Sequence, residues 1–180
     1  MKRREFEHAI RAAGAVLGVD EVLVIGSQAL HGSVKRSLPE EAERSVEVDV
    51  AVLGDSDGRQ ADLLDGSIGE ASMFHATFGY YAQGVVPGTA IVPEGWRQRL
   101  VPFRSRATAG VTALCLEPHD LWISKMIAGR PKDLEFGRAL MDRGLVDADT
   151  LRDRLGAVEK LPARTRKRIL GKIDAWSRGR

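Results

Sequence analysis

Cysteine is almost absent from the sequence: among 180 residues there is one, Cys115, inside the apolar run VTALCLE. A single cysteine excludes a disulfide framework and is usual in a reducing compartment. The four histidines form no His/Cys set with the spacing of zinc ligands. We interpret Cys115 as a small buried hydrophobic residue rather than a catalytic thiol. Lone histidines such as His31 and His119 are more often structural than ligands.

Long apolar runs are missing as well. None approaches the ~20 residues that a bilayer-spanning helix needs, and the segment MKRREFEHAIRAAGAVLG lacks the uninterrupted apolar region of a signal peptide. We therefore predict a cytoplasmic protein with no membrane partner. The chain also has neither G-x-x-x-x-G-K nor G-x-G-x-x-G, which excludes a Walker loop and a dinucleotide fingerprint.

Charge is unevenly distributed along the chain. The formal net charge is +2, but residues 150–180 hold ten Lys or Arg against three Asp or Glu. Such a basic end can bind nucleic-acid phosphates, although a solvated helix face is an equal alternative. The last predicted helix has an apolar side, formed by Ile169, Ile173 and Trp176, that must pack on the body or on a partner protein.

Residue periodicity predicts a mixed α/β body followed by a helical end. Helical spacing favours a helix over residues 4–17, and from Pro118 onward the pattern is helical again. We predict a core over residues 1–117 and a helical region over residues 118–180 that packs on it, basic from about residue 150. The predicted strands cover residues 21–25, 46–53, 80–86, 89–92, 99–104 and 111–117.

The predicted strand VEVDVAV, residues 46–52, carries two carboxylates in an otherwise apolar pattern. Glu47 and Asp49 alternate with valines, so both project from one face, roughly 7 Å apart along the backbone. Two adjacent carboxylates repel each other, and a divalent cation such as Mg²⁺ is the usual relief. The alternative is a half-exposed strand whose outer face carries acids.

A Gly-Ser turn precedes this strand in the stretch VLVIGSQALHG, residues 22–32. Gly26 lets the backbone approach a ligand closely. Ser27 offers a hydroxyl and a peptide N–H at the start of a predicted helical turn, which favours a phosphate. A phosphate cradle beside a metal site is the arrangement that nucleotidyl transfer requires.

On these motifs the chain resembles the nucleotidyltransferase superfamily, with its Gly-Ser and acid-x-acid signature. More closely it is similar to the minimal, AbiEii-related bacterial nucleotidyltransferase-like proteins. The resemblance implies an α/β (α+β) fold with a mixed sheet flanked by helices. It covers about residues 22–145, in the segments IGSQALHG, RSVEVDV, IGEASMFHATFGYYAQGV, VPEGWRQRLV and LCLEPHDLWISKMIAGRPKDLEF.

The resemblance also implies an activity, namely Mg²⁺-dependent transfer of NMP from an NTP to an acceptor. In toxin-like relatives the acceptor is tRNA, and an antitoxin protein restrains the enzyme. The implied catalytic residues are Glu47, Asp49, Lys125 and Asp133, of which the first two would bind the metal. The implied nucleotide-binding residues are Gly26, Ser27, Arg130 and Lys132.

The sequence departs from the superfamily pattern in two respects. The first acid is Glu47 where many members have Asp, and the usual third carboxylate is not evident on a later strand, with Glu70 and Glu117 as candidates. A non-catalytic nucleotide-binding or protein-interaction module of the same fold is therefore the alternative function. His75, in the aromatic segment FHATFGYY, could stack on a base, act as a general base, or be structural.

Overall fold

The computed structural model describes residues 1–178, which form a mixed five-stranded sheet surrounded by helices. The strands are β1 (Glu21–Val24), β2 (Glu47–Ala51), β3 (Tyr81–Gly84), β4 (Val101–Phe103) and β5 (Thr112–Cys115). The helices are α1 (Arg3–Leu17), α2 (Leu30–Ser33), α3 (Glu40–Glu43), α4 (Arg59–Ile68), α5 (Met73–Phe78), α6 (Pro118–Ala128), α7 (Pro131–Asp142), α8 (Ala148–Gly156) and α9 (Ala163–Ser177).

The strand order is β3-β2-β1-β5-β4, so β1 and β2 lie in the interior of the sheet. β1 pairs antiparallel with β2 and parallel with β5, while β2 pairs parallel with β3. After the exposed Glu21, Val22, Leu23 and Val24 are at most 1% exposed, so β1 is buried on both faces and its pattern is a continuous apolar run. The predicted α+β class with a mixed sheet is confirmed.

The predicted first helix is confirmed as α1, and Gly18 ends it in the left-handed conformation at φ 65°. The predicted strand over residues 89–92 is wrong. Pro87–Thr89 forms a 3₁₀ turn there, and no ladder follows. Two prolines, Pro87 and Pro93, flank the segment and cannot donate to a ladder. Helix α5 was not predicted; the Ser72 hydroxyl caps its first turn by accepting from the His75 N–H at 3.1 Å.

The apolar side of α9 packs on the other helices of the helical region, α6, α7 and α8. Ile169 and Ile173 are fully buried, and the Trp176 ring meets the Trp122 ring edge-on at 6.2 Å. Two basic residues of α9 also stabilise the fold by donating hydrogen bonds to backbone carbonyls. Arg166 donates to the Val158 carbonyl at 2.9 Å, and Arg168 donates to the Met126 carbonyl at the end of α6 at 2.9 Å. Helices of the same helical region thus cover this side of α9.

Cys115 is fully buried in β5, and burial raises the pKa of its thiol to about 12. This placement agrees with its interpretation as a hydrophobic residue. Within residues 1–178, no helix is both long enough and apolar enough to cross a membrane. The position of the boundary between core and helical region stays a prediction.

Candidate active site

Gly26 follows β1 and lies directly against the carboxylate of Asp49. A Cβ atom on Gly26 would lie 1.6 Å from Asp49 Oδ2, far inside any van der Waals contact. Its backbone is extended, with φ −92° and ψ −168°, so the requirement for glycine comes from this contact and not from the backbone conformation. Ser27 then begins the 3₁₀ turn Ser27–Ala29. The Gly-Ser turn and the second acid therefore form one local structure.

Glu47 and Asp49 occupy alternate positions of β2, while Val48 and Val50 between and beyond them are buried. Burial raises the pKa of Asp49, and the charge of Glu47 raises it further, whereas Lys125 opposes both effects. Among the described residues no hydrogen bond reaches the Asp49 carboxylate. Asp49 is thus a poorly solvated carboxylate without a hydrogen-bonding partner, and a cation would relieve it.

Glu47 has two partners of its own. The Tyr81 hydroxyl donates to Glu47 Oε2 at 3.1 Å, and Lys132 Nζ lies 3.9 Å from Glu47 Oε1. Burial and the Glu47 charge raise the pKa of Tyr81 to about 12, so its hydroxyl remains a donor. Tyr81 faces Glu47 because β2 and β3 run parallel with these two residues in register. This contact between strands could not be found from local patterns.

The cations of the site are held by a buried acid at the start of α7. Asp133 is 2% exposed and accepts from Arg130 Nε at 2.7 Å and from Arg130 Nη2 at 3.2 Å. Lys125 Nζ, one helix earlier, lies 3.7 Å from Asp133 Oδ1. This geometry makes Asp133 a residue that positions Lys125 and Arg130 toward the acids of β2.

Three adjoining cavities run along these residues. A cavity of about 140 Å³ is lined by Gly26, Asp49, Ser124, Lys125 and Arg130. A second, of about 60 Å³, shares Lys125 with it and adds Ser27 and Glu47. A third, of about 330 Å³, is also lined by Glu47 and Lys132. The eight predicted site residues therefore border one cleft. The sequence did not indicate Ser124, which also lines it, or Tyr81, which contacts it through Glu47.

Neither candidate for a third carboxylate joins the two acids. Across residues 1–178 there is no group of three or more His, Cys, Asp or Glu side chains placed to hold a metal. Glu117 instead caps α6 and contacts His119, and Glu70 lies exposed in the loop after α4. The oxygen donors that remain, Glu47 and Asp49, still fit Mg²⁺, which is commonly held by one or two carboxylates together with substrate phosphates.

His75 lies beside the site without touching its acids. Its ring is 4.7 Å from the Tyr81 ring, centre to centre, and its Nδ1 accepts from the Ala71 N–H at 3.2 Å. His75 therefore contacts the site through Tyr81.

His119 joins the first turns of α6 and α8. Its Nδ1 lies 2.6 Å from Glu117 Oε1, and its Nε2 lies 3.1 Å from Asp147 Oδ2 and 3.1 Å from the Asp147 N–H. The charged ring can donate to Asp147 Oδ2, while the neutral ring can accept from the Asp147 N–H. Burial disfavours the charged ring, but the two carboxylates outweigh this effect and raise the pKa of His119.

We expect this contact to make stability depend on pH. Because the folded-state pKa of His119 is raised, its stabilisation is complete below the unfolded value of about 6.5 and is lost as pH rises through the folded value. The difference in unfolding free energy between wild type and His119→Gln should be about 1 to 2 kcal/mol near pH 6 and shrink toward pH 9. Urea unfolding at several pH values measures this difference, and a difference that grows with pH would contradict the assignment.

Comparison with known proteins agrees with the motifs and the cleft. A family model described as "Nucleotidyltransferase of unknown function (DUF6036)" matches residues 6–171, which include every residue of the cleft. Comparisons with curated proteins and with solved structures give no match.

Proposed function

This chain belongs to the DUF6036 family of nucleotidyltransferases of unknown function, and from that premise we propose that it is a Mg²⁺-dependent enzyme that transfers NMP from an NTP to an acceptor. The observation that carries the proposal is the Asp49 carboxylate. It lies against the Gly-Ser turn without a hydrogen-bonding partner, in a cavity that it shares with Lys125 and Arg130. Carboxylates for a metal and cations for a triphosphate thus face the same space.

In the proposed reaction, Glu47 and Asp49 hold the metal, and Lys125 and Arg130 bind non-bridging oxygens of the triphosphate. Bound Mg²⁺ would stabilise negative charge on the phosphate oxygens. The Gly26–Ser27 turn positions the phosphates at the end of β1. The acceptor hydroxyl loses its proton to water and attacks the α-phosphorus. A new P–O bond forms and the bond to the β-phosphate oxygen breaks, so pyrophosphate leaves.

The other residues of the cleft orient these groups. Asp133 fixes the directions of Lys125 and Arg130 through its three contacts. Lys132 is 66% exposed in its side chain and lies 3.9 Å from Glu47 at the rim of the cleft, so we assign it to the phosphates or the acceptor. Catalysis then depends on positioned charges, as phosphoryl transfer requires.

We propose RNA, with tRNA as the first candidate, as the acceptor. The support is the exposed part of the basic end, where Arg164 and Lys167 lie on the outer face of α9. Arg166 and Arg168 are engaged in the fold and contribute less. Binding should weaken steeply with salt. A toxin-like role with an antitoxin partner follows from the resemblance to AbiEii-related proteins and belongs to the same proposal.

The deciding experiment is incubation of the protein with each α-³²P-labelled NTP, Mg²⁺ and total tRNA. We expect label in the RNA and none without Mg²⁺. If the label appears on the protein instead, the acceptor is a protein and not RNA. NTP binding without transfer to any acceptor would favour the non-catalytic module. In its favour, residues 1–178 contain no group of three acids placed together to hold a metal.

Replacing Tyr81 by Phe should weaken Mg²⁺ binding about tenfold, because residues that orient metal ligands typically change affinity 10–100-fold. The substitution removes the hydroxyl that donates to Glu47 and leaves the ring in place. The measurement is the Mg²⁺ dependence of NMP transfer together with calorimetric titration of Mg²⁺ in the presence of a non-hydrolysable NTP analogue.

Tyr80→Phe is the matched control for this substitution. It removes a neighbouring hydroxyl that contacts His8 Nδ1 at 2.7 Å, outside the cleft. Equal Mg²⁺ affinities for Tyr81→Phe and Tyr80→Phe would show that Tyr81 does not orient Glu47.

A further inference from the structure

Another cavity, of about 310 Å³ and outside the cleft, lies where the start of α1 meets the segment between α2 and α3. Four basic residues line it, Lys2 and Arg3 from the start of α1 and Lys35 and Arg36 from the segment. The single acid in its lining is Glu43. Its volume is at the lower end of the ~300–1,000 Å³ range of small-ligand sites. The surplus of positive side chains makes it a cavity for an anion.

Arg3 is the fixed cation of this cavity. Its Nη2 donates to the Val34 carbonyl at 2.6 Å and to the His31 carbonyl at 3.2 Å. The guanidinium also lies over the Phe103 ring, 5.1 Å from its centre. These contacts engage Nη2 and one face of the guanidinium. Its remaining N–H groups, on Nη1 and Nε, are therefore available to a ligand.

Lys35 and Arg36 differ from Arg3 in being uncommitted. Both are exposed, and within residues 1–178 neither side chain forms a hydrogen bond or an ion pair. Two cations beside each other on a short connecting segment, with no acid partner, add to the field of Arg3. Their side chains can bind an anion without breaking any hydrogen bond or ion pair of the folded protein.

His31 provides the observation that points independently to a ligand. It lines the cavity and is only 4% exposed. Its Nε2 lies 3.4 Å from the Met1 carbonyl, but its Nδ1 is buried and has no hydrogen-bonding partner in the described chain. A buried ring nitrogen without a partner is costly in a folded protein, and a ligand in the cavity can supply the missing partner.

We propose that this cavity binds a terminal phosphate, as a phosphate monoester dianion. Four basic side chains against one acid match a dianion better than a singly charged group. The start of α1, a helix of 15 residues, adds the favourable end of its dipole. Because the Met1 carbonyl can only accept, Nε2 carries the proton of the neutral ring, and the unpaired Nδ1 of His31 can donate to the dianion once the ring is protonated.

The cavity is distinct from the candidate active site. Helix α3 separates them: Glu43 at its end lines this cavity, whereas Glu41 lines the cleft that holds Glu47 and Lys132. Binding here therefore needs neither the metal nor the acids of β2. The proposal stands whether or not the chain transfers nucleotides.

His31 also offers a direct readout. Its pKa is lowered to about 4, chiefly by burial and then by the Arg3 charge. A bound dianion would offset the Arg3 charge and favour the protonated ring, so the pKa of His31 should rise on binding.

The experiment is NMR observation of the histidine ring nitrogens during titration with inorganic phosphate, with chloride at matched ionic strength. We expect a saturable shift of the His31 signals, assigned with a His31→Gln variant, and a higher His31 pKa at saturation. The double variant Lys35→Gln/Arg36→Gln should raise the dissociation constant about tenfold or more, because it removes two charge-assisted contacts. Neither residue has a folding role that its loss would disturb.

Two variants serve as controls. Arg164→Gln/Lys167→Gln removes the same charge from exposed positions of α9 and should leave the dissociation constant within about twofold, since distant exposed charges are screened. Lys125→Met removes a cation of the cleft and should leave the His31 response unchanged. The proposal would be overturned if phosphate caused no shift of the His31 ring-nitrogen signals. It would also be overturned if the Lys35/Arg36 and Arg164/Lys167 double variants weakened phosphate binding equally.

The source of the phosphate is tested by competition against inorganic phosphate. A 5′-phosphorylated tetranucleotide, its 5′-hydroxyl counterpart and a sugar phosphate are compared on the His31 signal. Stronger competition by the phosphorylated tetranucleotide would assign the site to a nucleic-acid end, and stronger competition by the sugar phosphate would assign it to a small metabolite. If the 5′-hydroxyl oligonucleotide competes as well as the phosphorylated one, the terminal phosphate is not what is recognised.

Discussion

Asp49→Asn will reduce nucleotidyl transfer by about 10³-fold, since a catalytic metal contributes several kcal/mol of charge stabilisation and each 1.36 kcal/mol is a factor of ten. Asn keeps the size of the side chain but removes the charge that would hold Mg²⁺. The measurement is the initial rate of labelled NMP transfer at saturating NTP, with Mg²⁺ titrated to show that added metal does not restore the rate.

The same substitution should leave the protein at least as stable. The pKa of Asp49 is raised in the folded state, chiefly by burial and also by Glu47. A carboxyl group of this kind destabilises the fold above its folded-state pKa, and stability recovers as pH falls through that pKa. Asn removes the unfavourable free energy of burying an ionised carboxylate at neutral pH. The melting temperature of the variant should therefore equal or exceed that of wild type.

Asp153→Asn is the matched control, because Asp153 is exposed on α8 and forms no ion pair within residues 1–178. It should retain full activity. An Asp49→Asn variant that transfers NMP at a rate close to that of Asp153→Asn would remove Asp49 from the reaction. A variant that fails to fold would contradict the interpretation of Asp49 as a destabilising carboxylate.

Gly26→Ala will lower the transfer rate by about 10²-fold or more, because a misplacement of 1 Å at a reacting group can cost that much. The added methyl carbon would lie 1.6 Å from Asp49 Oδ2 and 2.7 Å from its Cγ. Alanine tolerates the extended backbone found at residue 26, so the displacement of Asp49 is the source of the effect. The rate and the Mg²⁺ affinity, measured together, report that displacement.

A double-mutant cycle tests whether Gly26 acts through Asp49. In an Asp49→Asn background the Gly26→Ala substitution should cause little further loss of rate, since residues that act as a unit are not additive. Gly66→Ala is the control, because a Cβ at Gly66, in α4, has no neighbour within 4 Å. It should keep the activity and stabilise the protein by about 0.4–1 kcal/mol. Fully additive losses at Gly26 and Asp49 would contradict the coupling.

The parts of the site that the sequence could predict are those set by local spacing. The alternation of β2 places Glu47 and Asp49 on one face, and the Gly-Ser turn follows directly from an apolar strand. The cations of α6 and α7 came from the resemblance, because their distance from β2 along the chain carries no local signal. The role of Tyr81 depends on the register of two parallel strands, which no single segment encodes.

The incorrect strand over residues 89–92 has a similar cause. Its composition suits a strand, but a strand exists only where a neighbour accepts its hydrogen bonds. The sheet ends at β3 and β4, and the segment lies over the cleft, where Thr89 and Ala90 line the same cavity as Asp49.

The division of the site between sheet and helices also bears on the order of folding. Both acids lie on β2, whereas Lys125, Arg130 and Lys132 lie on or between α6 and α7, 76 to 85 residues later in the sequence. Until these helices dock, the two carboxylates repel each other without a counter-charge. A chain that ends at residue 117 would retain both acids and none of the three cations. Docking of α6 and α7 is thus the step that brings counter-charges to the two acids of β2, and nascent chains would complete the cleft only when the helical region is synthesised.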